Sequence, residues 1–414
     1  MIGAVETAAW AELDRRLDPN AGHPIAVAVS GGGDSVALLR LTHAWAERAG
    51  RRLLVLTVDH GLQPDSAGWS RTVAEEAARL GHPARTMRWM GPERAAGLPA
   101  AARAARHALL AEAAREAGAR VILLGHTADD AAEAEWMRRE GSTLGRLRAW
   151  SPSPVWPEGR GLMLLRPLLA LTRADLRAWL SAQGAPWLED PANTDGRFAR
   201  ARARAALAGE GRPPHAGRPE LTPASDASKE GADLFTAVPG APAALRGERA
   251  GLLALSEPHA VLNAALLCAS GRSRPARGHA VQALLARLRA GEAFSATLAY
   301  AHVQAGEWVL TLSRDPGRGG LPRTSVEPGR PVVWDGRFEL VSEASGTLRP
   351  AAGVLSRLSP PDRRTLAAVP AFHRGTLPVL ETETGRLVLQ RAVALAPERL
   401  RLALGPPPNE RSIP

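Results

Sequence analysis

The stretch Ile25-Ala-Val-Ala-Val-Ser-Gly-Gly-Gly-Asp-Ser-Val-Ala-Leu-Leu39 joins a short apolar run to three glycines and then to a second apolar run. The first run is typical of a buried strand, and the second has the length and period of a helix. Glycines let the backbone approach an anion closely, and the start of a helix adds free N–H groups and partial positive charge. The segment Ser30–Ser35 therefore predicts a phosphate-binding loop.

The side chains of this loop refine the prediction. Ser30 and Ser35 add hydroxyl donors to the backbone donors of Gly31, Gly32 and Gly33. Asp34 would repel a phosphate unless a divalent cation lies between them, so we expect Mg²⁺ beside Asp34. The alternative is an ordinary strand-to-helix turn in which Asp34 is the helix N-cap. A Walker A loop is excluded because it needs a lysine, and the only lysine is Lys229.

The first two hundred residues alternate between strand and helix patterns. This order predicts an α/β fold with a doubly wound parallel sheet, in which ligands bind beyond the carboxyl ends of the strands. The strand patterns cover Ile25–Ser30, Leu53–Asp59, Ala84–Trp89 and Val121–Gly125, and the helix patterns cover Ser35–Ala49, Ser66–Leu80, Pro99–Gly118 and Asp129–Arg139. The glycine loop, Asp59 and His126 all fall at such strand ends.

The remaining sequence predicts the domain organisation. An apolar run at Leu162–Leu168, a helix from about Thr172 to Gln183, a polar turn and an Arg-rich helix complete a first domain at residues 1–207. Residues 208–232 are rich in Gly and Pro, which indicates a flexible linker. We expect a small helical and β middle domain at 233–325 and a small α+β domain at 326–414. The turn and the Arg-rich helix are Glu189–Asp195 and Arg197–Leu207, and the later patterns are helices at Ala260–Ala269 and His279–Ala290, strands at Ala296–Val303 and Glu307–Leu312, and short strands at Pro331–Trp334, Phe338–Val341, Pro378–Glu381 and Arg386–Gln390.

Composition restricts the class of protein. The 414 residues carry a formal net charge of +10, which suits a polyanionic partner, although a GC-rich genome would inflate the arginine content in the same way. Cys268 is the only cysteine, so an internal disulfide and a cysteine metal cluster are excluded. Neither a signal peptide nor a transmembrane segment is predicted, and we expect a cytoplasmic protein with no membrane partner.

The Ser-Gly-Gly-x-Asp-Ser pattern after a strand and before a helix resembles the N-type ATP pyrophosphatase, or PP-loop, superfamily. That resemblance implies cleavage of ATP between its α and β phosphates, with Mg²⁺ and with Ser30–Ser35 holding the pyrophosphate. Further stretches resemble the tRNA(Ile)-lysidine synthetase family, in its alphaproteobacterial branch. They are Thr57-Val-Asp-His-Gly-Leu62, Pro99-Ala-Ala-Ala-Arg-Ala-Ala-Arg-His107, Gly125-His-Thr-Ala-Asp-Asp-Ala-Ala-Glu133, Arg148–Arg160, Arg166-Pro-Leu-Leu169, Glu189–Asp195 and Ala199–Arg204.

The resemblance implies a reaction and two further partners. ATP would adenylate C2 of the wobble cytidine in a tRNA(Ile) with a CAU anticodon, and free L-lysine would then displace AMP to leave lysidine. The C-terminal domain would bind tRNA, although it lacks the family's lysine pair; Arg349, Arg357 and Arg374 are candidate substitutes. The resemblance leaves the oligomeric state open between a monomer and a homodimer.

Two pairs of residues are the principal candidates for chemistry besides Asp34. Asp130 and Glu133 lie three apart on a predicted helix and so share a face, where they could bind the lysine amine or deprotonate it. The structural alternative is a solvated acidic helix start. Arg103 and Arg106 also share a face and could stabilise charge on the α-phosphate or hold the tRNA backbone. The family associates the position of Arg106 with catalysis.

Other residues are expected close to the nucleotide or substrate: Asp59, His60, His126 and Asp129. For Asp59 and His60 the side chains could be structural while their backbone contacts the base. His126 could be a ligand or could orient the following loop. The rival interpretations are a tRNA thiolase of the same superfamily, disfavoured by the single cysteine, an amidotransferase-type ligase, which would need a glutaminase domain or ammonia, and an inactive tRNA-binding relative.

Overall fold

A computed structural model describes residues 2–61, 66–91, 98–141, 147–189, 199–209, 231, 233–405 and 409–413. The chain folds into two compact units. The first unit comprises Met1–Pro223 together with Pro407–Pro414, and the second comprises Ala224–Pro406. The domain boundaries expected at residues 207, 232 and 325 stay predictions, and most of the linker expected at 208–232 lies outside the described residues.

The first unit is an α/β structure in which strands and helices alternate. Its elements are α1 (Ile2–Arg16), β1 (Ile25–Ala28), α2 (Gly33–Ala49), β2 (Leu53–Asp59), α3 (Ser66–Arg79), β3 (Ala84–Arg88), α4 (Leu98–Glu116), β4 (Val121–Leu124), α5 (Ala128–Arg139), β5 (Trp150–Pro152), β6 (Met163–Leu165), α6 (Arg173–Ala182) and α7 (Ala199–Gly209).

These strands form one sheet in the order β3-β2-β1-β4-β6-β5. All neighbours are parallel except β5, which pairs antiparallel with β6. In the centre, Val27 of β1 pairs with Val55 of β2 on one side and with Leu123 of β4 on the other. From β1 the chain adds β2 and β3 on one side of the sheet and then returns to add β4 on the other side of β1. The strand order therefore reverses between β1 and β4, which is where ligands bind in such sheets. The doubly wound parallel sheet is confirmed.

Most first-unit elements agree with the sequence patterns, with a few differences. Strand β2 has the predicted bounds, whereas β1 ends two residues early because the chain turns into the glycine loop. The run expected at Leu162–Leu168 is a strand only over its first part, and the helix α1 and the edge strand β5 were not predicted. The polar turn expected at Glu189–Asp195 lies outside the described residues, apart from Glu189.

The second unit contains one helical layer and three antiparallel sheets among its described residues. The sheets have the orders β7-β8-β11-β10-β9, β12-β15-β16-β17 and β13-β14-β18. The elements are β7 (Phe235–Val238), β8 (Ala241–Glu248), α8 (Arg249–Ala254), α9 (Pro258–Ser270), α10 (Gly278–Arg289), β9 (Phe294–Leu298), β10 (Ala301–Ala305), β11 (Val309–Arg314), β12 (Thr324–Val326), β13 (Pro331–Trp334), β14 (Phe338–Val341), β15 (Gly346–Pro350), α11 (Pro360–Ala367), α12 (Ala371–Arg374), β16 (Pro378–Thr382), β17 (Leu387–Leu389), β18 (Val393–Ala394) and α13 (Ala396–Ala403).

The strand expected at Ala296–Val303 is wrong. The chain reverses within it, and β9 and β10 form a hairpin through Ala299 and Tyr300, whose φ angles are 50° and 65°. Two consecutive left-handed residues match the twist of a two-residue hairpin turn. Such turns usually carry Gly, Asn or Asp, so the sequence offered no turn signal at this position.

No helix in the described part of the chain is long and apolar enough to cross a membrane. The apolar surfaces are instead buried within the two units. In the first unit, α4 packs one face of the sheet with Leu110 and Ala114 against Ile122 and Leu164. On α2, Leu38, Leu39 and Trp45 are almost fully buried.

The segment 409–413 completes the first unit through a buried ion pair. The Arg51 guanidinium donates to both carboxylate oxygens of Glu410, at 3.0 and 3.1 Å, and both side chains are almost wholly buried. The backbone N–H of Asp18 donates to the same carboxylate at 2.8 Å. Because the Glu410 carboxylate neutralises the Arg51 charge in a place without water, each depends on the other.

We expect Glu410→Ala to lower the free energy of unfolding by about 3–5 kcal/mol, because it leaves the Arg51 charge buried without its partner. Urea unfolding of the full chain measures this loss. The control is Arg411→Ala, which removes an exposed ion pair with Asp18 and should leave the midpoint nearly unchanged. Equal midpoints for the two variants would show that the buried pair contributes little.

Candidate active site

The glycine loop lies between β1 and α2 and is held by its two serines. The Ser35 hydroxyl donates to the Gly32 carbonyl at 2.8 Å and accepts from the Ser30 N–H at 3.1 Å. The two hydroxyl oxygens are 3.2 Å apart. Of the three glycines only Gly31 has a left-handed backbone, with φ of 89°. The loop geometry therefore needs glycine at Gly31 and uses Ser35 as an internal brace.

Asp34 lies in the first turn of α2 but is not its cap. The N-cap is Gly32, with extended backbone angles, so the interpretation of Asp34 as an N-cap residue is wrong. The Asp34 side chain is mostly buried, and its Oδ1 atom has no hydrogen-bond partner among the residues that the structure describes. A buried carboxylate oxygen without a partner costs free energy, which marks a place where a cation fits.

A segment that the sequence did not indicate covers the glycine loop. The Leu188 N–H donates to the Gly31 carbonyl at 2.9 Å, and Leu188 also forms a parallel bridge with Gly32. The Trp187 ring lies within 3.4 Å of the position that a Cβ on Gly33 would occupy. A Cβ on Gly31 would lie 2.6 Å from Leu188 Cδ1 and would displace this cover, whereas a Cβ on Gly33 would make an ordinary contact with Trp187. Packing is therefore a second reason for glycine at Gly31.

Four carboxylates gather beside the loop, and we call Asp34, Asp129, Asp130 and Glu133 the acidic group. Asp130 and Glu133 share one face of α5, as expected, and both are buried. Asp130 closes a capping box: its Oδ2 accepts from the Thr127 N–H at 2.9 Å and from the Thr127 hydroxyl at 3.1 Å. One Asp130 oxygen thus starts the helix, as the structural alternative expects, but both carboxylates are buried rather than solvated, which that alternative does not expect.

Two arginines neutralise part of the acidic group. Arg173, the first residue of α6, reaches Asp34 at 3.1 Å, Glu133 at 3.2 Å and Asp130 at 3.5 Å, and its backbone N–H donates to Asp129 at 2.8 Å. Arg204 of α7 reaches the same Glu133 oxygen at 2.6 Å. The other oxygen of Glu133, Oε2, is buried without a hydrogen-bond partner in the described part of the chain.

Charge and burial shift the ionisation of this group. Burial raises the pKa of Asp34; Arg173 opposes this rise, and the neighbouring Asp130 and Asp129 add to it. For Arg173, burial alone would lower the pKa, but the charges of Asp130, Glu133 and Asp34 raise it above its ordinary value. The guanidinium of Arg173 is therefore a fixed positive charge, whereas Asp34 binds a proton more readily than an exposed aspartate.

Three arginines form a second set, which we call the basic group: Arg103 and Arg106 on α4, and Arg166 at the end of β6. Arg166 follows β6; its Nε donates to His126 Nδ1 at 3.2 Å, and its Nη1 donates to the Ser151 hydroxyl at 2.9 Å. This bond fixes His126 with the proton on Nε2 when the ring is neutral. The expected placement of His126 at the end of β4 is confirmed.

The electrostatics of the basic group disfavour further positive charge. Burial, followed by the charges of Arg106, Arg103 and Arg166, lowers the pKa of His107 to about 3. Burial and then Arg103 lower the pKa of Arg166 to about 10. Burial and then Arg106 lower the pKa of His60. Neutral imidazoles beside clustered guanidinium groups suit an anion such as a phosphate.

Asp59 and His60 lie at the end of β2, as expected. Burial raises the pKa of Asp59, but hydrogen bonds from Ser66 and from the Gly61 N–H outweigh it and leave the pKa below its ordinary value. The Asp59 carboxylate thus holds the turn that follows β2. The His60 ring contacts Trp89 edge-on, with 6.4 Å between ring centroids.

Sequence patterns did not indicate the residues that contact and connect the candidate side chains. Arg173, Trp187 and Leu188 were not singled out, and Arg166 and Arg204 were noted only as parts of motifs. One signal was present for Arg173: a cation at the first position of a helix opposes the helix dipole, so a nearby negative charge is needed to hold it there.

Known proteins resemble this chain over most of its length. A family model described as PP-loop domain matches residues 5–210. The tRNA(Ile)-lysidine synthase of Caulobacter vibrioides is 46% identical over 415 residues, covering 95% of this chain and 96% of that protein. The tRNA(Ile)-lysidine synthase of Mesorhizobium japonicum is 36% identical over 417 residues, covering 95% of this chain and 86% of that protein.

Among solved structures, the U34-tRNA thiolase NcsA from Methanococcus maripaludis matches with a TM-score of 0.43 and 14% identity, over 51% of this chain and 74% of that chain. This likeness is too low to carry an argument. The sequence identity to the Caulobacter protein, which extends over both units, does carry one. The chain belongs to the tRNA(Ile)-lysidine synthase family.

Proposed function

We propose that this protein is an ATP-dependent carbon–nitrogen ligase that converts the wobble cytidine of a tRNA(Ile) with a CAU anticodon to lysidine. The near full-length similarity to proteins named tRNA(Ile)-lysidine synthase supports this proposal. The observation that carries it is local: a glycine loop suited to phosphate lies beside a buried acidic group suited to an amine.

The reaction has two steps. In the first, the C2 oxygen of cytidine attacks the α-phosphorus of ATP, and pyrophosphate leaves. In the second, the ε-amine of free L-lysine attacks C2, a C–N bond forms, and AMP departs with the former C2 oxygen. Before the attack the ammonium form of lysine must give a proton to a base.

The glycine loop is proposed to hold the pyrophosphate. Backbone N–H groups at the start of α2 and the Ser30 hydroxyl face an anion there. The residues fit a magnesium ion, because Asp34 Oδ1 is a buried hard oxygen without a partner among the described residues. No three His, Cys, Asp or Glu side chains converge as a metal site in the part of the chain that the structure describes, so phosphate oxygens and water would complete the shell. The ion would supply charge neutralisation for the departing pyrophosphate.

The basic group is proposed to take the phosphate end of the first step. Arg106 and Arg103 lie on α4, and their positive charges depress the pKa of His107 beside them. Negative charge that develops on the α-phosphate would offset the repulsion between these positive charges. The arginines would therefore stabilise the transition state more than the free substrate. His126, held by Arg166, presents its Nε2–H as a further donor.

The acidic group is proposed to bind the lysine amine, with Glu133 as the proton acceptor. Asp130 uses one oxygen for the capping box and the other for Arg173. Glu133 instead keeps Oε2 buried and without a partner among the described residues, while Arg173 and Arg204 hold Oε1. An ammonium group at Oε2 would satisfy that oxygen, and a proton could pass directly to it.

The thiolase alternative is disfavoured by the single thiol. Cys268 is completely buried in the second unit, and burial raises its pKa to about 12. A thiol in that state is a poor nucleophile and a poor sulfur carrier.

For tRNA binding we propose a contribution from the second unit. Of the three candidate arginines, Arg374 donates to the Val369 and Ala367 carbonyls, and Arg349 pairs with Glu381. Arg357 is the last residue of a short exposed 3-10 helix, Leu355–Arg357, and its exposure favours it as a phosphate contact. The other two arginines are used by the fold itself.

The Arg357→Ala variant should bind tRNA(Ile) with a weaker salt dependence. A lost phosphate contact flattens the slope of log affinity against log salt by about one unit. Titrating tRNA at several salt concentrations measures the slope. A slope equal to that of the wild type would remove Arg357 from the interface.

The Asp34→Asn variant should lose lysidine formation by a factor of about 10² or more, because the magnesium ligand beside the pyrophosphate is gone. Mass spectrometry of tRNA(Ile) after incubation with ATP and lysine measures the product as an added lysyl mass less water. Glu47→Gln, on the exposed end of the same helix, is the matched control and should retain activity. Full turnover by the Asp34 variant would contradict the proposed site.

The Glu133→Gln variant should separate the two steps. Pyrophosphate release should persist, whereas transfer of lysine should fall by about 10²–10⁴-fold because the proton acceptor is missing. Glu135→Gln, on the same helix and paired with Arg138 outside the site, is the control. If both steps fall together, Glu133 serves the fold or the first step rather than the amine.

A further inference from the structure

Arg173 occupies a position that its own helix disfavours. It is the first residue of α6, where the helix dipole opposes a positive charge, and the capping box of Thr172 and Asp175 starts the helix without it. Its side chain is only 19% exposed. The residue is therefore held by the carboxylates around it rather than by the needs of α6.

The guanidinium of Arg173 contacts one oxygen of Asp34 and one oxygen of Glu133. It donates no hydrogen bond to the second oxygen of either carboxylate. Its Nε contacts Asp34 Oδ2 and its Nη1 contacts Glu133 Oε1. Asp34 Oδ1 and Glu133 Oε2 are both buried and have no hydrogen-bond partner within the described ranges of the chain. The open oxygens thus lie on two carboxylates that Arg173 connects, one beside the glycine loop and one on α5.

The charge around this position favours one more cation. The charged groups that face it among the described residues are Asp34 from α2, Asp129, Asp130 and Glu133 from α5, and Arg204 from α7. Asp34 is assigned to the magnesium ion; the other three carboxylates and the two guanidinium groups of Arg173 and Arg204, all ionised, leave a formal charge of −1. A substrate ammonium group can therefore enter without displacing Arg173.

We propose that Arg173 is a positioning residue whose fixed positive charge promotes loss of the proton from the lysine ε-ammonium group when that group binds at Glu133 Oε2. This inference rests on the proposed function. With ordinary hydrogen-bond lengths on the two oxygens of one carboxylate, the ammonium nitrogen and the guanidinium would lie about 5 Å apart. Two like charges at that distance repel, so Arg173 weakens the preference of this acidic site for the ammonium form and makes the neutral, nucleophilic amine easier to reach.

The proton has a defined destination. It passes from the amine nitrogen through Glu133 Oε2 to solvent, because Arg173 and Arg204 keep the Glu133 carboxylate ionised, and the amine lone pair then forms the bond to C2 as AMP departs. Because Arg173 also holds Asp34, the charge that activates the amine is fixed to the helix that carries the nucleotide loop. Amine activation is thereby located where the adenylated cytidine is formed.

The test compares Arg173→Gln, Arg173→Lys and the wild type, with Arg177→Gln as control. Arg177 is on the same helix, is half-exposed and pairs with Glu189 away from the acidic group. The rate of lysine transfer at saturating lysine, ATP and tRNA is measured from about pH 6.5 to 9.5, since kcat reports groups in the bound complex. Pyrophosphate release and thermal unfolding are followed in the same samples.

For Arg173→Gln we expect the rising limb of kcat for lysine transfer to move to higher pH by about one to two units. The rate should fall by about 10–100-fold at neutral pH and recover at high pH, while KM for lysine stays equal or decreases because repulsion is removed. Arg173→Lys keeps the charge and should keep the limb of the wild type. Arg177→Gln should match the wild type throughout.

The outcomes separate this inference from the proposed function. A wild type that adds no lysyl mass to the tRNA overturns the proposed function and this inference with it. The inference alone is overturned if the wild type forms lysidine and the rising limb of kcat for Arg173→Gln coincides with that of the wild type. It is also overturned if Arg173→Gln lowers kcat by the same factor at every pH. If Arg173→Gln does not fold, Arg173→Met, which also removes the charge, decides: a limb moved to higher pH supports the role of charge, and an unmoved limb overturns it.

Discussion

The close approach of β4 to the first turn of α2 is the constraint on which the site depends. A Cβ on Gly125 would lie 3.0 Å from the Asp34 carbonyl oxygen and 3.2 Å from the Ser35 Cα. Only glycine lets the two backbones come this near without displacement. This approach brings the strand end that leads into α5 against the glycine loop, so the carboxylates of α5 reach the same guanidinium as Asp34.

Around this point the first unit separates opposite charges. Carboxylates lie on α2 and α5 with Arg173 between them. Arg103 and Arg106 on α4 and Arg166 after β6 lie near His107, whose pKa is lowered by burial and by these three charges. Under the proposed function, the α-phosphate would meet the guanidinium groups and the lysine amine would meet the carboxylates of α5.

Much of this arrangement could be predicted from local patterns, and the rest could not. The strand–Gly–helix pattern indicated Ser30–Ser35, and spacing placed Asp130 and Glu133 on one face. Arg173 lies 139 residues from Asp34 in an arginine-rich chain, so no local pattern could select it. The hairpin at Ala299–Tyr300 was missed for a related reason, because tertiary context imposed left-handed angles on residues that rarely adopt them.

The ion pair between Arg51 and Glu410 has a consequence for biosynthesis. A ribosome makes Arg51 early and Glu410 only after the whole second unit has been synthesised. Until then the sheet of the first unit can form, but the site for the Arg51 charge has no counter-ion. The catalytic half of the nascent chain is therefore expected to reach its final state after translation of the other half is finished.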